Sequence, residues 1–370
     1  MNRELLWDDG PGEIRAGIYE DGQLVQFRII RPRRNAEIVQ AAGEHYTARV
    51  ALRTGNGQVM VDLGAGHMAM LKNRLAVTEG SLIEVTMVRG PYPEPGNWKL
   101  PVVAALADHA PLLPHAAWHV SAEPWEQFLL TTAPTVRKIT CSDVRIAGDI
   151  GQVLGDKAPD IRIKPDRIEE ADFDSLIDQG VSGNFPLRSG ALMIERTRAM
   201  TMIDIDGNVD GLALNLEAAA AIPRILRLFD ITGQIGIDFV AVESKAARSE
   251  ILKAFDDAAA VLGPHERTAI NGFGFCQIVR RRSGPSVPEI LCGTRRAQLS
   301  DESLAIALLR EAGRSVGVGP RQLVAPPAII DLIKSWPQET SALRSSLGVE
   351  ILLLPDASAK GYGHVHVAPR

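Results

Sequence analysis

Three aspartates close two β-type runs. The first run, Met200-Thr201-Met202-Ile203-Asp204-Ile205-Asp206-Gly207-Asn208, is apolar until it meets its carboxylates. The second, Gln234-Ile235-Gly236-Ile237-Asp238-Phe239, ends the same way. A helical stretch, 214–228, lies between them, and strand–helix–strand with an acid at each strand end gathers carboxylates at one sheet edge. Hard divalent cations take oxygen ligands, and Mg²⁺ is commonly held by one or two protein carboxylates together with water and phosphate. An ion held this way turns water into a nucleophile and shields a phosphodiester. The plainer reading is that Asp and Asn form turns, and Asp206-Gly207-Asn208 fits a turn on that ground alone. Asp204 and Asp238 are harder to reduce to turns. Each sits inside its apolar run, with Ile205 and Phe239 next, where a charge is costly unless something pairs with it.

The elements that must position these residues come from a chain of 370 residues, 45% hydrophobic, with a formal net charge of −5. That length is expected to form two or three domains with ample core. No run approaches the ~18 consecutive apolar residues of a membrane span. The N-terminus, with Glu4, Asp8 and Asp9 around Leu5-Leu6-Trp7, lacks the basic and apolar regions of a secretion signal. Cys141, Cys276 and Cys292 form no CxxC pair, which argues against a disulfide framework and suits a reducing cytoplasm. The acidic balance disfavours nonspecific coating of nucleic acid, so such a partner has to be met by local basic clusters.

Residues 1–90 read as short strands with Gly-rich turns, among them the Asp21-Gly22 hairpin and Gly55-Asn56-Gly57, and predict an OB-type barrel. Such barrels bind single strands with stacking aromatics and a basic groove. Here Met68 and Met70 stand where rings would help, and a barrel that only packs or dimerises is the competing reading. Residues 91–134, with recurrent proline, read as a surface linker. In it His109, His115 and His119 are taken as solvated. Residues 135–290 alternate strands and helices. Pro223 is expected to kink or split the helix after the first carboxylate run, and Ser244 to cap the next. Arg280-Arg281-Arg282 closes a strand, where guanidinium forks grip phosphate or face solvent. Residues 291–370 form a last, small α/β portion with Ser300 capping a helix. The fold class expected is α+β and multidomain.

The order of motifs resembles the ribonuclease E/G family. The runs that carry the likeness are Ser189-Gly190-Ala191-Leu192-Met193-Ile194, 199–206, Asn215-Leu216-Glu217-Ala218-Ala219, and Gly233 through Phe239. Val61-Asp62-Leu63-Gly64 is similar to that family's S1 domain, and the stretch from Glu302-Ser303-Leu304 to its small C-terminal domain. The resemblance implies Mg²⁺-dependent hydrolysis of single-stranded RNA. Asp204 and Asp238 match the metal-binding aspartates, and Asp206 stands where the family has asparagine, which orients water or the scissile phosphate. Arg280 and Arg282 match basic positions, and Met68 and Met70 fall at the S1 surface that meets RNA. The departures are definite. Cys292-Gly293-Thr294 replaces the CPxC zinc link, so any homo-oligomer forms without a shared zinc. The 91–134 segment is shorter than the family's 5′-end sensor, and Gly272 replaces an arginine. The alternative implied is an RNA-binding or scaffold protein that kept the fold and lost turnover. A phosphodiesterase for small nucleotides is a third reading.

Overall fold

The structure, a computed structural model, describes residues 2–32, 43, 45–64, 66–72, 76–106, 123–282 and 284–369. The chain is α+β. Its first sheet is an antiparallel meander, Arg3–Gly10, Glu13–Glu20 and Gln23–Ile30, joined through the Pro11-Gly12 and Asp21-Gly22 turns. Lys138–Cys141 adds parallel to Arg3–Gly10, and Asp160–Ile163 parallel to that. The helices Pro124–Thr132 and Val144–Leu154 cover one face, burying Leu5, Trp7, Ile18, Ile139 and Ile150. Asp143 caps the second helix by accepting from the Ile146 N–H.

This corrects the expected division at residue 90. The strands up to Ile30 leave the barrel and belong to a separate sheet, whose strand Arg3–Gly10 pairs with Lys138–Cys141, more than a hundred residues onward. Period-2 alternation looks the same in either setting, so local pattern does not separate them. The barrel itself is closed and five-stranded, from His45–Arg53, Val59–Asp62, Met68–Leu71, Leu82–Arg89 and Val102–Ala105. Ala48, Val50, Val61, Ala69, Val85 and Val103 fill its interior. The expected linker is likewise corrected where it is described: Tyr92–Glu94 and Asn97–Lys99 form a hairpin, and Val102–Ala105 closes the barrel. His109, His115 and His119 lie outside the described residues.

A six-stranded sheet follows, in the order Asn184–Pro186, Gly190–Arg196, Thr201–Gly207, Gly233–Asp238, Phe275–Arg280, His265–Arg267. The two carboxylate strands are parallel neighbours, and the helix Gly211–Leu228 crosses between them. That helix runs unbroken through Pro223, contrary to the expected split. Its buried stripe, Leu214, Ala218, Ala219, Ile222 and Leu226, outweighs a lost hydrogen bond and ring clash of ~3 kcal/mol. Ser244 caps the second covering helix, Lys245–Ala259, through the Ala247 N–H. The core continues across Gly211–Leu228 into the first sheet at Phe27 and Ile29.

The C-terminal portion sets helices Asp301–Arg314, Pro327–Lys334 and Pro337–Leu347 on a three-stranded sheet of Ile351–Pro355, Arg321–Ala325 and His364–Val367. A buried ionic network ties it to the first sheet. Glu13 takes Arg15 and Arg31, Arg310 reaches Asp8 and the Glu13 carbonyl, and Arg31 also meets Glu302. Burial pushes the Glu13 carboxyl up, but Arg31, Arg15 and Arg310 outweigh it and hold it below the usual range.

Candidate active site

Alternation along the strand Thr201–Gly207 sends Ile203 and Ile205 into the core and leaves Asp204 and Asp206 exposed. The strand Gly233–Asp238 repeats this, with Ile235 and Ile237 inward and Asp238 outward. The register then decides the site: Asp204 lies directly opposite Asp238. Parallel neighbours run ~4.7–4.9 Å apart, so the two carboxylates leave one face at a separation one ion can bridge. They are not buried in their apolar runs, as the sequence implied, but displayed on the open face. The cost of burying a charge is avoided rather than compensated.

Among the described residues nothing cationic neutralises the pair. Asp204 accepts a hydrogen bond from the Ile205 N–H at 3.0 Å, and neither it, Asp206 nor Asp238 has an ion-pair partner among the described residues. Like charges in register repel, and a bound cation is what relieves that. The donor set fits a hard ion: two carboxylates and no sulfur or imidazole. Among the described residues no group of three or more His, Cys, Asp or Glu converges to hold a metal. Asp206, two residues along the same strand, therefore stands beside the pair and not within it. Two protein ligands with the remainder left to water and phosphate is the usual Mg²⁺ arrangement.

Local structure fixes this edge. Asn215 is fully buried, donating from Nδ2 to the Val240 carbonyl at 2.7 Å and accepting the Val240 N–H at 3.0 Å. It locks the helix to the segment immediately after Asp238. Glu217 accepts the backbone N–H groups of Arg188 and Ser189, at 2.8 and 3.2 Å. The Ser189 side chain, followed by the Arg188 backbone N–H, holds the Glu217 carboxyl below the usual range. Gly236 is needed beside the site: a Cβ there would come within 2.7 Å of the Phe275 ring and 2.9 Å of the Met202 sulfur.

Beyond Asp238, Asn271 accepts from the N–H groups of Phe273 and Phe275, at 2.9 and 3.1 Å, shaping a tight turn. Gly274 takes φ +94° there, its carbonyl accepting the Phe239 N–H. The turn presents Phe273 with 88% of its surface exposed. Sequence reading passed over this ring; a large aromatic inside Asn-Gly-Phe-Gly turn chemistry was the available signal.

The arginine run is corrected. Arg280 faces the core, its guanidinium donating to the carbonyls of Leu226, Ile231 and Leu262. Desolvation lowers its pKa, with Asp230 opposing. It braces the sheet and is not available to grip phosphate. Cys276, Ile278 and Arg280 share the inward parity of their strand, so the strand's own alternation gave this away. Arg282 donates from Nη1 to both carboxylate oxygens of Glu289, each at 2.8 Å, and lies 4.0 Å over the Tyr92 ring. Arg281, between them, is exposed and without a partner among the described residues.

Met68 and Met70 lie on the barrel's outer side, alternating with buried Ala69 and Leu71. Met70 pairs across with Met60 and accepts from Gln58, and half-exposed Leu52 extends the patch. Cys292 is buried, with its thiol pushed up by desolvation. Among the described residues, no helix is long and apolar enough to cross a membrane.

Residues 131–283 match the ribonuclease E/G family. Over 194 residues the chain is 30% identical to ribonuclease G of Salmonella typhimurium, covering 46% of this chain and 39% of that protein. It is 31% identical to ribonuclease G of Escherichia coli over 134 residues, or 33% of this chain and 27% of the relative. It is 34% identical to ribonuclease E of Haemophilus influenzae over 140 residues, covering 33% and 15%. The matched stretch thus spans well under half the length of these relatives. It contains the whole carboxylate edge.

Proposed function

We propose, for a chain whose residues 131–283 are of ribonuclease E/G type, that it is an endoribonuclease cutting internal phosphodiester bonds of single-stranded RNA with Mg²⁺. The observation that carries this reading is the register of Asp204 against Asp238, both exposed and both without a cationic partner among the described residues. These two carboxylates would hold the ion, which supplies an activated water and charge neutralisation at the scissile phosphate. Asp206, one outward position further along, orients water or phosphate beside them. Asn215 holds the Asp238 strand end in place. Phe273 offers an exposed ring on which a base stacks next to the cut, and Arg281 a guanidinium, without a partner among the described residues, for a backbone phosphate. The methionine patch of the barrel, with its S1-type role, offers apolar surface to further bases.

The test is cleavage of an end-labelled single-stranded RNA in Mg²⁺ and in EDTA, with wild type and Asp204→Asn/Asp238→Asn. Internal cuts that need metal and vanish in the double variant support the reading. RNA that binds but stays whole in Mg²⁺ and in Mn²⁺ overturns it. That result would favour a binding or scaffold protein, the reading to which Gly272 and the methionines in place of barrel aromatics lean. Cleavage of short model diesters with no preference for length would assign a small-nucleotide phosphodiesterase instead.

A further inference from the structure

A second concavity, of about 290 Å³, lies at the opposite end of the same two strands. The hairpin Tyr92–Glu94/Asn97–Lys99 walls one side. The turn 196–201 and the start of the strand Gly233–Asp238 wall the other. Five cationic side chains and two carboxylates line it. Both carboxylates are already engaged, Glu94 by Lys99 at 3.3 Å and Glu289 by Arg282 at 2.8 Å. Arg89, Arg196 and Arg198 have no acidic partner among the described residues.

Their hydrogen bonds are incomplete in a telling way. Arg196 donates from Nη2 to the carbonyls of Gly293 and Arg295, at 3.2 and 2.7 Å, and its guanidinium also meets the Cys292 thiol, but Nη1 is buried with no hydrogen-bond partner among the described residues. Arg89 donates from Nη2 to the Leu100 carbonyl at 3.0 Å, and its Nε is also buried and unpartnered. Arg198 spends only Nε, on the Pro95 carbonyl at 3.2 Å. A structural strut needs the bonds that are made. Buried charged donors left open are few in native proteins, and on exposed Arg198 both Nη groups have no acceptor among the described residues. Tyr92, with Arg89 at 4.9 Å and Arg282 at 4.0 Å from its ring, stiffens the floor. Planar guanidinium donors converging on one space match phosphate oxygens.

We propose that this pocket binds a phosphate group of the RNA strand and so sets where the strand lies across the carboxylates. Thr201 is three residues from Asp204 and Gln234 four from Asp238, a separation of about 10–13 Å at strand rise, the reach of a few nucleotides. The source of the phosphate rests on the RNA-cleavage reading above; the anion site itself does not.

The test uses the full chain in two arms. In the first, thermal melting is followed with inorganic phosphate and pyrophosphate. Wild type gains several degrees, and Arg196→Gln and Arg89→Gln lose that gain whatever their own melting temperatures. Should Arg196→Gln fail to fold, Arg198→Gln carries the same comparison. No gain in wild type, or an equal gain in the variants, overturns the site. In the second arm, anisotropy of labelled RNA is measured on the Asp204→Asn/Asp238→Asn background. Arg198→Gln is expected to weaken binding about 5–10-fold and to lower the salt slope by ~0.7. A methylphosphonate at one internal linkage that abolishes this difference marks a chain phosphate; a 5′-hydroxyl end that abolishes it marks a terminal one. Either supports the proposal. Phosphate-dependent melting without RNA binding sustains the pocket and overturns RNA as its source.

Discussion

The two ends of one parallel strand pair carry opposite charge. Where Thr201–Gly207 and Gly233–Asp238 finish, Asp204 and Asp238 stand in register, exposed and without an ion-pair partner among the described residues. Where they begin, Arg196, Arg198 and Arg282 crowd a hollow under the barrel's hairpin. The acidic end is made by neighbouring strands and needs nothing from elsewhere. The basic end is assembled from three separate parts of the chain. An acyclic polyanion laid along the strands would thus be gripped at one end and cut at the other. Each end can be broken without the other.

The largest effect is expected at the acidic end. Asp204→Asn or Asp238→Asn alone should lower cleavage more than about 100-fold, beyond what losing an outer-shell partner costs at a metal site. RNA affinity in EDTA should stay within about 2-fold. Single-turnover cleavage and anisotropy on the same preparations check both halves, and wild-type rates would end the ligand assignment. Asn215→Ala comes next, because it frees the segment after Asp238. It should destabilise by ~1–3 kcal/mol through the orphaned Val240 groups, and cut activity about 10–100-fold. A merely structural role would leave the Mg²⁺ concentration for half-maximal rate unchanged; positioning of Asp238 should raise it.

Between the ends, Phe273 and the arginine run sharpen the contrast. Phe273→Ala should weaken RNA binding by about 1–3 kcal/mol if one base stacks on it, while leaving melting unmoved. Arg281→Ala should reduce the salt slope of binding by ~0.7 without loss of stability. Arg280→Ala should do the reverse, costing about 1–3 kcal/mol of stability from unpaired buried carbonyls. Urea unfolding and salt titration of the two variants test the inward and outward assignments together.

These residues also show how far sequence could see. That Asp204 and Asp238 would meet at one sheet edge was legible because alternation and the strand–helix–strand unit are local; their register is set by the pairing of the folded strands. Matching residues 131–283 to a known family rested on the same stretch. Arg280 was misread because a run of three arginines was treated as one cluster, although strand parity divides it between core and solvent. The strands up to Ile30 were assigned to the barrel because the strands that complete their sheet, Lys138–Cys141 beside Arg3–Gly10 and Asp160–Ile163 beyond it, are remote in sequence. Arg196 and Arg198 stand at the turn of an ordinary hairpin, Gly190–Arg196 with Thr201–Gly207. Their meaning depends on Arg89 and Tyr92 being folded against them, and no local pattern encodes that approach.

The smallest effect is a control on the comparison, since it lies on neither end. Asp9 sits in a hollow of the first sheet beside Trp7 and Trp125, and burial pushes its pKa up to about 6. Arg145, 3.5 Å away, and Arg310 oppose that shift, and Asp8 adds to it. A carboxyl whose folded pKa lies above its unfolded value of 3.8 favours the folded state below that value, and this advantage is lost as pH climbs through 6. Asp9→Asn removes the titration. It should therefore melt higher than wild type at pH 7–8, by roughly 2–4 °C for each kcal/mol relieved, with the advantage shrinking toward pH 4. Loss of the Arg145 contact subtracts little, because that arginine is largely exposed. Cleavage rates at pH 7 should stay equal, for the hollow touches neither the carboxylates nor the arginines. A change in cleavage with unchanged melting would mean that the first sheet acts on the site directly, and the division of labour between the two strand ends would then be incomplete.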